Sequence, residues 1–303
     1  MTQESLRIDH NAVRAGVLLG PLTTYKVGGE ARWFAEPKDL EDLRSILEAR
    51  PPGMEVVILG RGSNVVVSDD GIDGLVLRLG HGFSSADIGT DGTIVAGGGL
   101  PLPRLARFAA EAGRSGLGFF VGIPGSVGGA VKMNAGGHGS DTAAVLASVV
   151  VVDSETGELT TRSSEDLDLG YRFSNLADSE IVVQASFSSA PGDPAALLAE
   201  LRDITRWRKE HQPGGTLNAG SVFKNPADRS AGEIIDSLGL KGLTVGPVRV
   251  SEIHANFMVA EPDANATDIW TFVHNIQRTV HERTGILLEP EVKFLGTFHE
   301  DRI

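Results

Sequence analysis

Residues 118–139 read GFFVGIPGSVGGAVKMNAGGHG, with glycine at 122, 125, 128, 129, 136, 137 and 139. Short or branched residues fill nearly every gap, so this backbone can approach a neighbour closely and offer bare N–H groups to an anion. A glycine-rich turn between two strands explains the same composition. No G-x-G-x-x-G dinucleotide fingerprint reads through the segment, and the dipeptide Gly-Lys of a phosphate-binding loop occurs nowhere in the chain. A second cradle, Gly60-Arg61-Gly62-Ser63-Asn64, lies upstream. Two such loops suit the two ends of one long, diphosphate-bearing cofactor.

The chain has 303 residues, enough for two or three compact domains, and 38 of them are glycine. Its formal charge of −13 argues against a nucleic-acid or anionic-membrane partner, since both need a basic footprint. An anionic ligand must therefore be met by local positive charge. Cysteine is absent, which excludes disulfides, thiolate metal sites, iron–sulfur clusters and flavin attachment through sulfur. The eight histidines are scattered, and no carboxylate is spaced to complete a site with His274 and His281, so no metal is expected. The opening MTQESLRIDHNAVRAG carries no apolar core of signal-peptide length, and no run approaches the roughly 20 apolar residues of a membrane span. A cytoplasmic, monomeric protein is expected.

Strand and helix signals alternate through the first half. A helix begins near Pro37–Asp39 and buries Leu40, Leu43, Ile46 and Leu47; Val56–Leu59, Val65–Ser68 and Gly74–Leu79 read as strands. Thr93–Ala96, a helix with Leu102, Leu105, Ala106 and Ala109 on one side, and strands at Ser148–Asp153 and Ile181–Phe187 follow. The composition changes at Ala190-Pro191-Gly192-Asp193-Pro194. Beyond it, helices are expected over 195–209, 231–238 and 266–283, with strands over 248–251, 257–260 and 287–295. The expected divisions are 1–82, 83–192 and 193–303. Arg206, Arg208 and Lys209, closing the first of these helices, read as a solvated face.

Three segments carry candidate chemistry. In Tyr171-Arg172-Phe173-Ser174 the arginine can grip a carboxylate with two hydrogen bonds, although a plain surface arginine fits as well. Asn218-Ala219-Gly220-Ser221-Val222-Phe223-Lys224-Asn225-Pro226 gathers hydroxyl, cation and amide within nine residues. It has no G-x-S-x-G elbow, which disfavours an acyl-transfer serine, but a serine hydroxyl can protonate a carbanion held on its correct face. Leu287–Leu295 reads as a strand on which Glu289 and Glu291 share a face, and spacing does not choose between them.

Together these segments resemble the UDP-N-acetylenolpyruvoylglucosamine reductase (MurB) family of peptidoglycan precursor synthesis. The matching pieces run collinearly: Thr23-Thr24-Tyr25-Lys26-Val27-Gly28-Gly29, Leu59–Asn64, Gly122–Ala130, Met133-Asn134-Ala135-Gly136, Tyr171–Ser174, Ala219–Pro226 and Glu289-Pro290-Glu291-Val292. The resemblance implies an α+β fold: a two-lobed FAD-binding domain of the vanillyl-alcohol-oxidase type, followed by a C-terminal α+β substrate-binding domain. It implies non-covalent FAD with its diphosphate on Gly60, Arg61, Gly62, Ser63 and Asn64 and on Gly122, Ile123, Pro124, Gly125, Ser126, Gly128 and Gly129, with Asn134 also at the cofactor. It further implies NADPH as hydride donor and the enolpyruvyl ether of UDP-N-acetylglucosamine as substrate. Arg172 would hold the substrate carboxylate, and Ser221 would protonate the enolate. The family favours Glu291 over Glu289 for stabilising the developing charge, as a neutral acid whose pKa burial raises. Lys224, Asn225 and His211 would touch the nucleotide–sugar; His211 stands where a lysine is frequent before Gln212-Pro213. The 49-residue step from Arg172 to Ser221 resembles the subclass without an inserted substrate-capping loop. The rival reading is an oxidase on the same cofactor fold that acts on another hydroxylated substrate.

Overall fold

The computed structural model describes residues 8–299, so the first seven residues of the leader reading lie outside the described residues. The chain forms two compact units, each assembled from separated stretches. The first comprises the chain up to Ala15, Trp33–Arg61 and Gly74–Trp207; the second comprises Gly16–Arg32, Gly62–Asp73 and the chain from Arg208 onward. Residues 1–82 thus contribute to both.

The first unit is built on a five-stranded antiparallel sheet in the order Leu159–Ser163, Leu146–Asp153, Glu180–Phe187, Ile94–Gly97, Ala86–Ile88. Its central strands read as unbroken apolar runs because both of their faces are covered. Val149, Val151 and Val182 enter one core, and Val152, Ile181 and Val183, alternating with them, enter another. Three helices fill those cores. Helix α1 (Leu40–Ala49) starts where Asp39 accepts the Asp42 amide at 2.8 Å, and buries Leu43, Ile46 and Leu47. Helices α2 (Leu102–Glu111) and α3 (Val127–Lys132) bury their apolar faces in the other core. Val56–Ile58 pairs in parallel with Leu75–Leu77. Helix α4 (Pro194–His211) extends two residues beyond the expected end and buries only Leu201 fully.

The second unit centres on α6 (Ala266–Thr284), delimited as its sequence dictates. Asn265 and Asp268 form a reciprocal capping box, and Gly285, at φ +73°, ends it. Asp69 accepts the amides of Ala266 and Thr267, each at 2.9 Å. Ile269, Phe272, Val273, Ile276 and Val280 face a core shared with α5 (Ala231–Ser237) and with Tyr25, whose hydroxyl donates to Met258 O at 2.9 Å. Complete burial pushes that phenol's pKa upward. Thr244–Val245, Val248–Val250 and Met258–Ala260 form an antiparallel sheet, and Val65–Val67 pairs in parallel with Lys293–Leu295.

The strand expected over 287–295 is a strand only at Lys293–Leu295. Leu288 and Val292 are buried, but Pro290 between them has no N–H for a ladder. Glu289 and Glu291 consequently sit on irregular backbone. Among the described residues, no helix is long and apolar enough to cross a membrane.

Glycine at position 62 is required by the protein itself. Its φ is +64°, and a Cβ there would lie 2.3 Å from Leu22 O and 2.7 Å from Thr23 Cα. Gly62→Ala is expected to destabilise the protein by more than the ~1–3 kcal/mol of the left-handed backbone alone, as thermal melting of the flavin-free protein will measure.

Candidate active site

The expected site residues fall into two groups, one in each unit. In the first unit Gly60 and Gly129 both lie against Ser126, whereas Gly62, Ser63 and Asn64 of the upstream cradle belong to the second unit. A Cβ on Gly60 would lie 2.9 Å from Ser126 Oγ, and one on Gly129 would lie 3.5 Å from it, with no other atom within 4 Å beyond each glycine's chain neighbours and its own helix backbone. Ser126 is only 5% exposed, yet its hydroxyl has no hydrogen-bond partner among the described residues. The amides of Val127 and Gly128 are already engaged, by Leu100 O at 3.0 Å and Gly98 O at 2.8 Å. A hydroxyl without a partner among the described residues, on a largely buried serine beside two glycines, fits a phosphate oxygen, and in this respect the residues suit FAD.

Arg172 occupies the tip of a tight turn in the same unit. Its φ is +54°, Gly170 and Phe173 exchange amide–carbonyl bonds across it, and its Nη2 donates to Gly136 O at 3.2 Å. Asn134 anchors that turn. Its Nδ2 donates to Gly170 O at 2.8 Å, while its Oδ1 accepts the Ala143 amide at 2.8 Å. The Asn134 side chain, read from sequence as a cofactor contact, is thus occupied in supporting Arg172. Gly122–Gly125 leads into Ser126 in this unit.

The second unit brings together Ser221, Lys224, Asn225, Glu291 and Asn64. Val222 O accepts from the amides of Glu291 at 2.7 Å and Val292 at 3.3 Å, and Lys224 N donates to Glu289 O at 2.8 Å. The serine-bearing and glutamate-bearing segments are therefore bonded backbone to backbone. Asn64 Nδ2 donates to Glu291 O at 3.1 Å, and Asn64 O accepts the Lys293 amide at 3.0 Å. Ser221 is half-buried, and its hydroxyl bonds to none of the described residues. Lys224 Nζ pairs with Glu289 Oε1 at 2.6 Å, so Glu289 neutralises the lysine. Asn225 Oδ1 accepts the Ala231 amide at the start of α5, at 3.0 Å. His211 is exposed at the end of α4. Arg208, expected on a solvated face, is half-buried instead, and burial holds its guanidinium below the usual pKa.

One contributor was not singled out from sequence. Asn256 is 2% exposed and lies just before the apolar strand Met258–Ala260. A lone amide in so apolar a run was the available signal. Its backbone N–H donates to His254 Nδ1 at 3.2 Å. Burial, then nearby Lys241, holds His254 below its ordinary pKa of 6.5. The unfolded chain therefore binds more protons than the fold as the pH drops through that value. Stability present above it is lost toward the lower folded-state pKa. Melting temperatures between about pH 8 and pH 5 should fall less steeply in His254→Gln than in the parent.

The C-terminal domain model of UDP-N-acetylenolpyruvoylglucosamine reductase matches residues 212–295, and an FAD-binding domain model matches residues 31–163. The chain is 40% identical over 283 residues to the UDP-N-acetylenolpyruvoylglucosamine reductase of Azorhizobium caulinodans, covering 93% of this chain and 91% of that one. It is 43% identical over 290 residues to the enzyme of that name from Trichormus variabilis, covering 94% and 87%. The crystal structure of the reductase from Thermus caldophilus superposes with a TM-score of 0.81 at 36% identity, covering 94% of this chain and all of that one.

Proposed function

The chain belongs to the UDP-N-acetylenolpyruvoylglucosamine reductase family, FAD-binding oxidoreductases of peptidoglycan synthesis, and we propose that it reduces the enolpyruvyl ether of UDP-N-acetylglucosamine with NADPH as hydride donor. FAD, when bound, supplies the hydride that arrives at the terminal vinyl carbon. Ser126 and the Gly60 and Gly129 backbones would hold its diphosphate. The remaining chemistry belongs to side chains. As the vinyl carbon becomes a methyl group, negative charge gathers on the adjacent carbon and spreads into the carboxylate. Arg172 neutralises that carboxylate with paired hydrogen bonds, and its turn is held ready by Asn134. Glu291, in its acid form, donates a hydrogen bond to the same developing charge. Ser221 gives its hydroxyl proton to the carbon, which completes the lactyl ether, and recovers a proton from solvent. Lys224, Asn225 and His211 contact the nucleotide–sugar.

The observation that supports this reading most directly is the shared Val222 carbonyl, which sets the glutamate-bearing backbone beside the serine-bearing one. The test is a visible spectrum of the purified protein under nitrogen, taken before and after NADPH and then after the enolpyruvyl UDP-sugar. Flavin bands that bleach with NADPH and return with the sugar are expected. Bands that return only on admission of air would move the reading to an oxidase.

A further inference from the structure

We propose that Asn256 is the positioning residue for the proton donor Ser221; the proposal rests on the reading of Ser221 just given. Asn256 Oδ1 accepts the Phe223 amide at 3.0 Å, and its Nδ2 donates to Phe223 O at 2.8 Å. Its own carbonyl accepts the Val222 amide at 2.8 Å. One side chain thus takes both backbone groups of Phe223, as a neighbouring strand would. The ordinary ladder is sparse here, consisting of the isolated bridges Leu217↔Ala260 and Ser221↔Phe257. Asn256 continues that ladder past its last backbone bridge.

The serine needs this support. Gly220, immediately before it, has φ +77°, and its amide is held locally by Asn218 Oδ1 at 3.0 Å, so that turn fixes only the near end of the serine's backbone. The Ser221 hydroxyl bonds to none of the described residues, so the backbone on either side of it sets its position, and the far side is the Val222–Phe223 segment. That backbone is held on one edge by the Glu291 and Val292 amides at Val222 O, and on the other by Asn256. Proton transfer to carbon depends steeply on placement. A shift of about 1 Å at the donor costs on the order of a hundredfold in rate.

Asparagine alone offers a donor and an acceptor at this reach. Asn256→Asp would retain the acceptor but turn a carboxylate oxygen toward Phe223 O, pushing that segment away. The side chain contacts no ligand in this scheme and acts only through the strand.

The experiment uses the FAD-loaded enzyme and the variants Asn256→Asp, Asn256→Ser, Ser221→Ala and the double variant combining Asn256→Asp with Ser221→Ala. In Asn256→Asp, flavin reduction by NADPH should stay within about twofold of the parent. Turnover with the enolpyruvyl sugar should fall about tenfold to a hundredfold with little change in KM. The solvent deuterium isotope effect on kcat should rise, because proton transfer becomes the slower step. Asn256→Ser, too short to reach either Phe223 group but uncharged, removes both bonds without repelling Phe223 O and should lose less than Asn256→Asp. In the Ser221→Ala background, Asn256→Asp should cost little more, since its effect passes through the missing hydroxyl. An undiminished second loss in that background would overturn the inference. Equal loss in both half-reactions, or an isotope effect that does not move, would do the same. If Ser221→Ala alone leaves turnover intact, the proton-donor reading itself fails, and that result is recognisable before any Asn256 variant is made.

Discussion

Ser221→Ala should leave flavin reduction by NADPH nearly untouched and lower turnover with the enolpyruvyl UDP-sugar by about 10²–10⁴-fold, the usual worth of a positioned proton donor. The split follows from the structure's chemistry. Ser221 lies on the segment bonded to the Glu291 segment through Val222 O, whereas the glycines beside Ser126 are the ones we propose for the cofactor. Alanine removes the proton without disturbing the Val222 amide, the Val222 carbonyl or the Asn256 clamp, all of which are on neighbouring residues. The substrate should therefore bind with nearly its normal KM, while kcat falls. Stopped-flow spectroscopy of the two half-reactions separates these outcomes. A parallel fall in both would make Ser221 a structural residue.

The second large effect is expected at Glu291. In the proposed mechanism Glu291→Ala removes a hydrogen-bond donor that acts on charge present only near the transition state, and the expected loss is about 10²–10³-fold in kcat. Glu291→Gln keeps an N–H donor on a side chain of the same shape and should retain a substantial part of the activity at every pH. The backbone at this position is fixed from two sides, by its amide on Val222 O and its carbonyl under Asn64 Nδ2, so neither substitution should alter the fold. Equal losses in Gln and Ala would show that the position needs a carboxylate rather than a donor, and would undercut the neutral-acid role. Flavin content and NADPH reduction serve as the controls in both variants.

Local signals were legible wherever a residue's partners are close in sequence. Asp39 caps α1, Asn265 and Asp268 box the start of α6, and Gly285 ends it. Those bonds span a few residues, and their geometry belongs to residue type. The alternation of Val149, Val151 and Val152 between two cores likewise explains why an unbroken apolar run is a strand. Leu288–Val292 misled because buried residues at that spacing imitate a strand while Pro290 prevents one. Arg208 misled in the opposite direction: its position at a helix end is local, but its burial depends on what packs over it.

The sequence by itself determined the order of elements, the two glycine cradles, the family and a small set of chemically suitable side chains, because residue type and spacing are properties of the chain. Tertiary structure decided which of those groups are available and which are already engaged. Lys224 is paired with Glu289 across 65 positions, and the Asn134 amide supports the Arg172 turn rather than standing open. Asn64 and Glu291, 227 positions apart, meet through one hydrogen bond, and Asn256 clasps Phe223 across 33. A hydrogen bond reaches about 3 Å and carries no memory of sequence distance. Only the folded backbone could make these residues neighbours.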